Sequence, residues 1–168
     1  MPNAEYWIER LALEAHPEGG FFRETYRSQH SYEFGDDTPF QGPRNHATAI
    51  HYLLRTKERS RLHRIHSDEL WFYHAGVPLQ LHLFPPEGEP SSFMLGPNPE
   101  NGEALQAVAP AESWFGACHP PETLRTAAYT LVSCVVAPGF DFRDFSFARK
   151  ELLLERYPAF STIIDRLA

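Results

Sequence analysis

Cysteine is scarce in this 168-residue chain: Cys118 and Cys134 are the only two. Neither belongs to a Cys-x-x-Cys pair, which excludes a disulfide framework. Cys134 lies inside the apolar run TLVSCVVAP and reads as a buried small hydrophobe. No apolar run approaches the ~20 residues of a membrane span, and no basic start precedes an apolar core. A soluble, cytoplasmic protein is therefore expected. Positive charge is also short. Fifteen Lys and Arg against 22 Asp and Glu give a net charge of −7 with nine neutral histidines. An acidic surface repels phosphate backbones and anionic lipid, so neither nucleic acid nor membrane is an expected partner. Strand–helix–strand alternation and internal repeats are missing too, which argues against a parallel α/β sheet or a solenoid.

Punctuation, by contrast, is plentiful. Fifteen prolines and ten glycines divide the chain into short segments, while 42% apolar and 14% aromatic residues mark it as globular. Its length favours a single domain, 1–168. Residues 3–13 read as a helix with Asn3 as N-cap, Glu5 in the first turn, and Ala4, Ile8, Leu11 and Ala12 at helical spacing. His16-Pro17-Glu18-Gly19-Gly20 breaks it. In the strand 21–26 (FFRETY), Phe22, Glu24 and Tyr26 share one face and Phe21, Arg23 and Thr25 the other. Charge on both faces fits an edge strand, or a strand whose Arg23 or Glu24 reaches a polar site. Residues 28–46 form a long loop of the kind that serves as a lid or binding segment. Residues 48–54 form a strand and 56–61 a basic turn.

Strands follow at 69–74 and 77–84, joined at Ala75-Gly76. In the second, Leu79, Leu81 and Leu83 alternate with Gln80, His82 and Phe84. Further strands are read at 92–95, 103–109, 113–118 and 127–136. Residues 140–147 alternate aromatics with charge, and helices are read at 148–157 and 161–167. About eight short strands with helices only at the ends predict an all-β jelly-roll or closed barrel.

The chemistry concentrates in residues 60–76, SRLHRIHSDELWFYHAG. His63 and Glu69 are six positions apart. On one extended strand that even spacing points both side chains to the same face. The leucine and three aromatics that follow, Leu70-Trp71-Phe72-Tyr73, suit the lining of a pocket inside a barrel.

Four stretches resemble one family: HPEGGFFRETYRS (16–28), HRIHSDELWFYHAG (63–76), VAPAESWFGA (108–117) and LVSCVVAPGFDFRDF (131–145). Together they are similar to the DUF985, or Cupin_5, branch of the cupin superfamily, often described as sugar-epimerase-like. The resemblance implies a double-stranded β-helix, the cupin jelly-roll barrel, with flanking N- and C-terminal helices and usually a homodimer. The general cupin pattern has a first motif of His-x-His, then Glu, then Gly after six more residues. Here His63, Glu69 and Gly76 fit, but Ile65 stands at the second histidine and His66 is one residue out of register. In the second motif, Pro-x-Gly-x-x-His, Pro110 fits, whereas Glu112 replaces the glycine and Phe115 the metal-binding histidine. Two of four metal ligands are thus absent, and no metal or other cofactor is expected. If a metal binds, His63 and Glu69 are its ligands, with His66 or His119 as a third only outside the family geometry.

The same pair also serves metal-free chemistry. A carboxylate beside His63 sets its tautomer and basicity, and Tyr73, on the face of Glu69, is positioned as a proton donor. His63, Glu69 and Tyr73 are accordingly the candidate catalytic residues. Arg23 suits an anionic group such as a phosphate or carboxylate. Trp71 and Trp114 suit stacking on a sugar or other flat ligand, and Phe21, Glu24 and His66 complete the candidate ligand set. Three readings stand: a metal-independent epimerase or isomerase acting on a carbohydrate-like molecule, a non-catalytic binder with the same pocket, and a metal-dependent cupin oxygenase or isomerase.

Overall fold

The computed structural model describes residues 2–124 and 128–168. Helix α1 (Ala4–Arg10) opens the chain, with the Asn3 side chain accepting the Tyr6 N–H. The strands are β1 (Glu14–Ala15), β2 (Phe21–Arg27), β3 (Ser31–Tyr32), β4 (Arg44–Asn45), β5 (Thr48–Arg55), β6 (Arg59–Arg64) and β7 (Asp68–Gly76). They continue as β8 (Leu79–Phe84), β9 (Ser91–Leu95), β10 (Glu103–Ala104), β11 (Gln106–Ala109), β12 (Trp114–Cys118), β13 (Tyr129–Ala137) and β14 (Ser146–Phe147). Helices α2 (Lys150–Arg156) and α3 (Ser161–Leu167) close it. The strand read at 127–136 starts at Ala127, which lies outside the described residues. Among the described residues no helix is long and apolar enough to cross a membrane.

Two six-stranded sheets face each other. One has the order β1-β2-β5-β13-β7-β11, the other β10-β9-β8-β12-β6-β14. All pairings within them are antiparallel except β9 with β10. This is the jelly-roll barrel expected from short alternating strands between helical ends. The basic stretch read as a turn at 56–61 instead runs into β6, and the single strand expected at 103–109 divides between the two sheets.

The inward side chains of β7, β8, β12 and β13 pack one half of the interior around Trp71, Leu81, Phe115 and Val132. Outside the second sheet, α2 and α3 bury Leu153, Tyr157, Ile164 and Leu167 against Leu62 and Phe84. Helix α1 lies on the first sheet with Leu53 and Leu131 beneath it.

Register shifts re-aim key side chains. In β2, Glu24 lies opposite Ile50 but Tyr26 opposite Ala49, so Thr25 is an extra residue. The inward face therefore reads Phe22, Glu24, Arg27, while Tyr26, placed by simple alternation beside Glu24, is exposed. In β6, His63 lies opposite Phe115 and Ser60 opposite Ala117, which again leaves one extra residue. The bulge sits against Gly116, where a Cβ would come within 2.7 Å of the Ser60 carbonyl oxygen.

One buried ion pair fastens the loop before β5 to the segment after β13. Arg44 Nε and Nη2 donate to Asp144 Oδ2 and Oδ1 at 2.7 and 2.6 Å, and Arg44 Nη1 donates to the carbonyls of Gln41, Gly42 and Pro43. Removing one partner strands a buried charge, at a cost of roughly 3–5 kcal/mol. Asp144→Ala should therefore lower stability by about that amount in urea unfolding, against less than about 1 kcal/mol for the more exposed Asp141→Ala. A small loss in Asp144→Ala would show that the segment stands without the pair.

Candidate functional site

The site begins with the turn that ends the α1 region. His16 N–H donates to Gly20 O at 3.0 Å, Gly19 N–H to His16 O at 3.0 Å, and Arg61 N–H to Glu18 O at 2.9 Å. Gly19 (φ +110°) and Gly20 (φ +70°) adopt left-handed backbone, and a Cβ on them would come within 2.1 Å of Arg59 O and 2.6 Å of Leu53 O. Only glycine lets the turn press this close to β5 and β6. The Tyr52 hydroxyl locks it by donating to Gly19 O at 2.7 Å. The result is a carboxyl group delivered inside the barrel: Glu18 is 6% exposed.

Glu18 Oε2 lies 3.1 Å from His63 Nε2 and 3.7 Å from His16 Nδ1, while Oε1 accepts the Ser60 hydroxyl at 3.1 Å. His63 Nδ1 is 2.7 Å from Arg61 O. A carbonyl only accepts, so the neutral ring carries its proton on Nδ1 and turns the Nε2 lone pair to Glu18. The imidazole is held between Phe115 and Phe145, with ring centroids 4.2 and 5.2 Å away.

Glu69, from the start of β7, faces the same space beside Cys134 and Val136 of β13. Burial raises its pKa to about 7; the Glu18 charge adds to the rise and His63 opposes it. Burial likewise lifts Glu18, against the charge of His16, and lowers His63, against the charge of Glu69. Burial thus disfavours the charged form of each member of the Glu18–His63 contact.

These groups floor a cavity of about 330 Å³. Its walls are Phe22, Ile50, Phe140 and Phe145, and Phe142, Asp141, Glu24 and Arg27 stand at its open end. Arg27 spends four of its five N–H groups here: Nε and Nη2 donate to Glu24 at 2.9 and 2.6 Å, and Nη1 donates to Asn45 Oδ1 and Phe140 O.

The structure brings His63, Glu69 and Glu24 of the expected set into this cavity. His63 and Glu69 do not share a strand. They lie on β6 and β7, in opposite sheets, and meet across the interior. The β6 bulge, not even spacing, turns His63 inward.

The remaining candidates lie elsewhere. Tyr73 is on the face of Glu69 but four residues further along, about 13 Å at strand rise, beyond buried Trp71. Its hydroxyl donates to Gly76 O at 2.7 Å. Trp71 is core, packed edge-on to Tyr52. Trp114 points to the outer face under the Arg64 guanidinium, because its neighbour Phe115 takes the inward position. Alternation also sends Phe21 and Arg23 outward. Phe21 packs beneath Arg55, and Arg23 Nη1 reaches Ala12 O at 3.4 Å. His66 sits in the β6–β7 turn, 2.5 Å from Glu112 Oε1.

Sequence reasoning missed Glu18, His16, Arg27, Cys134 and the Phe140, Phe142, Phe145 cluster as site residues. The signal for Glu18 was there: an acid followed by two glycines, the residues that permit close backbone approach.

The donor set does not suit a cupin metal. Phe115 packs against His63, each His63 nitrogen lies against an oxygen of Arg61 or Glu18, and His66 is turned to Glu112. Among the described residues no three His, Cys, Asp or Glu side chains are grouped to hold an ion.

Barrel, flanking helices and enclosed acid–imidazole cluster define a cupin-type barrel. The chain belongs to the Cupin superfamily (DUF985), whose family model matches residues 5–148. It is 32% identical over 164 residues to the uncharacterized protein YML079W of Saccharomyces cerevisiae, covering 90% of this chain and 80% of that one. It is also similar to two solved structures. A hypothetical protein from Leishmania major has 37% identity and a TM-score of 0.88, with 99% of each chain covered. Protein SO0799 from Shewanella oneidensis has 37% identity and a TM-score of 0.84, with 100% of this chain and 98% of that one covered.

The pKa of Glu69 makes stability depend on pH. The unfolded side chain ionises near 4.5 and the folded one near 7. Between those values the folded protein holds a proton that the unfolded chain has lost, so stability falls as pH rises, by roughly 3 kcal/mol for this group. Glu69→Gln should flatten that fall in thermal unfolding between about pH 5 and pH 7. It should also lower the His63 pKa further in an NMR titration, since the anion favouring imidazolium is gone. Unchanged curves in both would place the two groups out of contact.

Proposed function

We propose that the protein binds a small carbohydrate-like molecule in the barrel cavity and moves a proton on it without a metal, as an epimerase or isomerase does. The observation that carries this reading is a buried carboxyl, Glu69, whose pKa burial raises to about 7, in the same cavity as the 3.1 Å contact of Glu18 with His63. A general base works best with a pKa near the working pH. The sequence pointed to His63 as the base. With its Nε2 committed to Glu18, that role passes to Glu69, and the Glu18–His63 pair becomes the proton source.

The step balances as follows. Ionised Glu69 takes the proton from a carbon α to a ligand carbonyl. The C–H electron pair forms the C=C bond of an enol, and the carbonyl oxygen accepts a proton from Glu18–His63. Glu69 then returns its proton to the neighbouring carbon, the former carbonyl carbon, while the hydroxyl on the α-carbon gives its proton back to Glu18–His63, which completes an isomerisation. Apolar walls keep water from the intermediate and strengthen each polar contact.

In deuterated water, free aldoses and ketoses should acquire deuterium at the α-carbon in the presence of the protein. Exchange should drop about 10²–10⁴-fold in Glu69→Gln and also fall in His63→Ala. Tyr73→Phe should exchange normally. Full exchange in Glu69→Gln would overturn the assignment, and none across the panel with wild-type protein would leave binding alone.

We also propose the homodimer that the family resemblance implies. Exposed Tyr26 and Val108 lie on strands of the first sheet, which, unlike the second, has only α1 over one end. Sedimentation should give about twice 19.2 kDa, and a single-chain mass would reject the dimer.

A further inference from the structure

We propose that the ligand of this cavity is a free, uncharged hydroxylated carbonyl compound about the size of a monosaccharide, and that its phosphate and nucleotide esters are rejected. This rests on the proton-transfer reading of the same site and narrows its substrate class.

Three guanidiniums stand near the open end, and each nitrogen of each is occupied. Arg27 is closed by Glu24, Asn45 and the Phe140 carbonyl. Arg143 donates through Nε and Nη2 to Asp141 and through Nη1 to the Gln41 carbonyl. Arg44 is spent on Asp144 and the carbonyls of its own loop. No lysine lines the cavity among the described residues. A phosphate is held by several free, convergent N–H donors; of the five on Arg27 four are already taken, and its charge is matched by Glu24.

The acids point the same way. Glu18, Glu24, Glu69 and Asp141 all line the space. An anion entering it would shed its hydration among carboxyl groups, with no counter-charge to replace the water. Carboxylates accept hydrogen bonds, so hydroxyl donors are the complementary groups. The Phe22, Phe140 and Phe145 rings offer apolar surface to the C–H face of such a ligand. A volume of about 330 Å³ is near the lower end for ligand cavities, roughly 300–1,000 Å³, which matches one small ring rather than a nucleotide ester.

Glu24 is thereby a specificity residue. Its carboxylate cancels the one guanidinium that lines the cavity. The side chain sits on an exposed stretch of β2, so replacing it leaves the core intact.

The test is binding, read from the His63 ring protons by NMR. The probes are benzyl alcohol against benzoate, and free hexoses and pentoses against their phosphates and a uridine diphosphate sugar. In the wild-type protein, benzyl alcohol should bind at least about tenfold more tightly than benzoate, a difference of about 1.4 kcal/mol. At least one free sugar should shift His63, and no ester should. Glu24→Gln should free Arg27 and bring benzoate within about threefold of benzyl alcohol. The proposal is overturned if an ester binds as tightly as its parent sugar, if benzoate matches benzyl alcohol in the wild type, if Glu24→Gln leaves the ratio unchanged, or if no free sugar binds. Since the readout is occupancy, absence of deuterium exchange leaves this assignment standing. Ester binding, conversely, leaves proton transfer standing with a different substrate.

Discussion

The buried carboxyl groups of Glu18 and Glu69 share one apolar-walled space with the His63 imidazole, and Glu18 Oε2 lies 3.1 Å from His63 Nε2. Like charges that cannot both be hydrated cannot both persist, so protons are retained. Burial raises the pKa of both carboxyl groups, that of Glu69 to about 7. Much of the surrounding structure serves this arrangement. The Gly19-Gly20 turn brings Glu18 against β6, the Arg61 carbonyl fixes the imidazole tautomer, and Phe115 and Phe145 hold its plane.

The interior is divided along its length. Trp71, Phe115 and the leucines of β8 fill one half as ordinary core, while the other half stays open beneath Phe140, Phe142 and Phe145. In a metal-binding barrel of this kind, the position of Phe115 would hold a ligand histidine. Here an aromatic ring packs against the remaining histidine instead, and Glu18, from outside both motifs, takes up its free nitrogen.

The architecture was legible because its signals are local. Alternation in VPLQLHLF, the proline and glycine breaks, and helical spacing only at the chain ends suffice for a jelly roll with flanking helices. The site was legible in part. His63 and Glu69 were paired on even spacing within one strand, yet the chain turns between them and they meet from opposite sheets. Arg23 and Phe21 were placed at the ligand, but the pleat turns both outward; Arg27 faces in because Thr25 is an extra residue. A bulge adds a residue without leaving a mark in composition, so alternation fails beyond it. Glu18 was hidden in a segment read as punctuation, and the link from Arg44 to Asp144 spans 100 positions.

Gly116 carries the last consequence. The backbone of β6 presses on it, and a methyl group there would collide with the Ser60 carbonyl and crowd the Leu62 nitrogen, at 2.7 and 3.1 Å. The extra residue in β6 survives only because the opposing strand has no side chain at that point. A side chain there would push the two backbones apart next to His63. The orientation of the reactive ring is thus inherited from an atom that the neighbouring strand does not have.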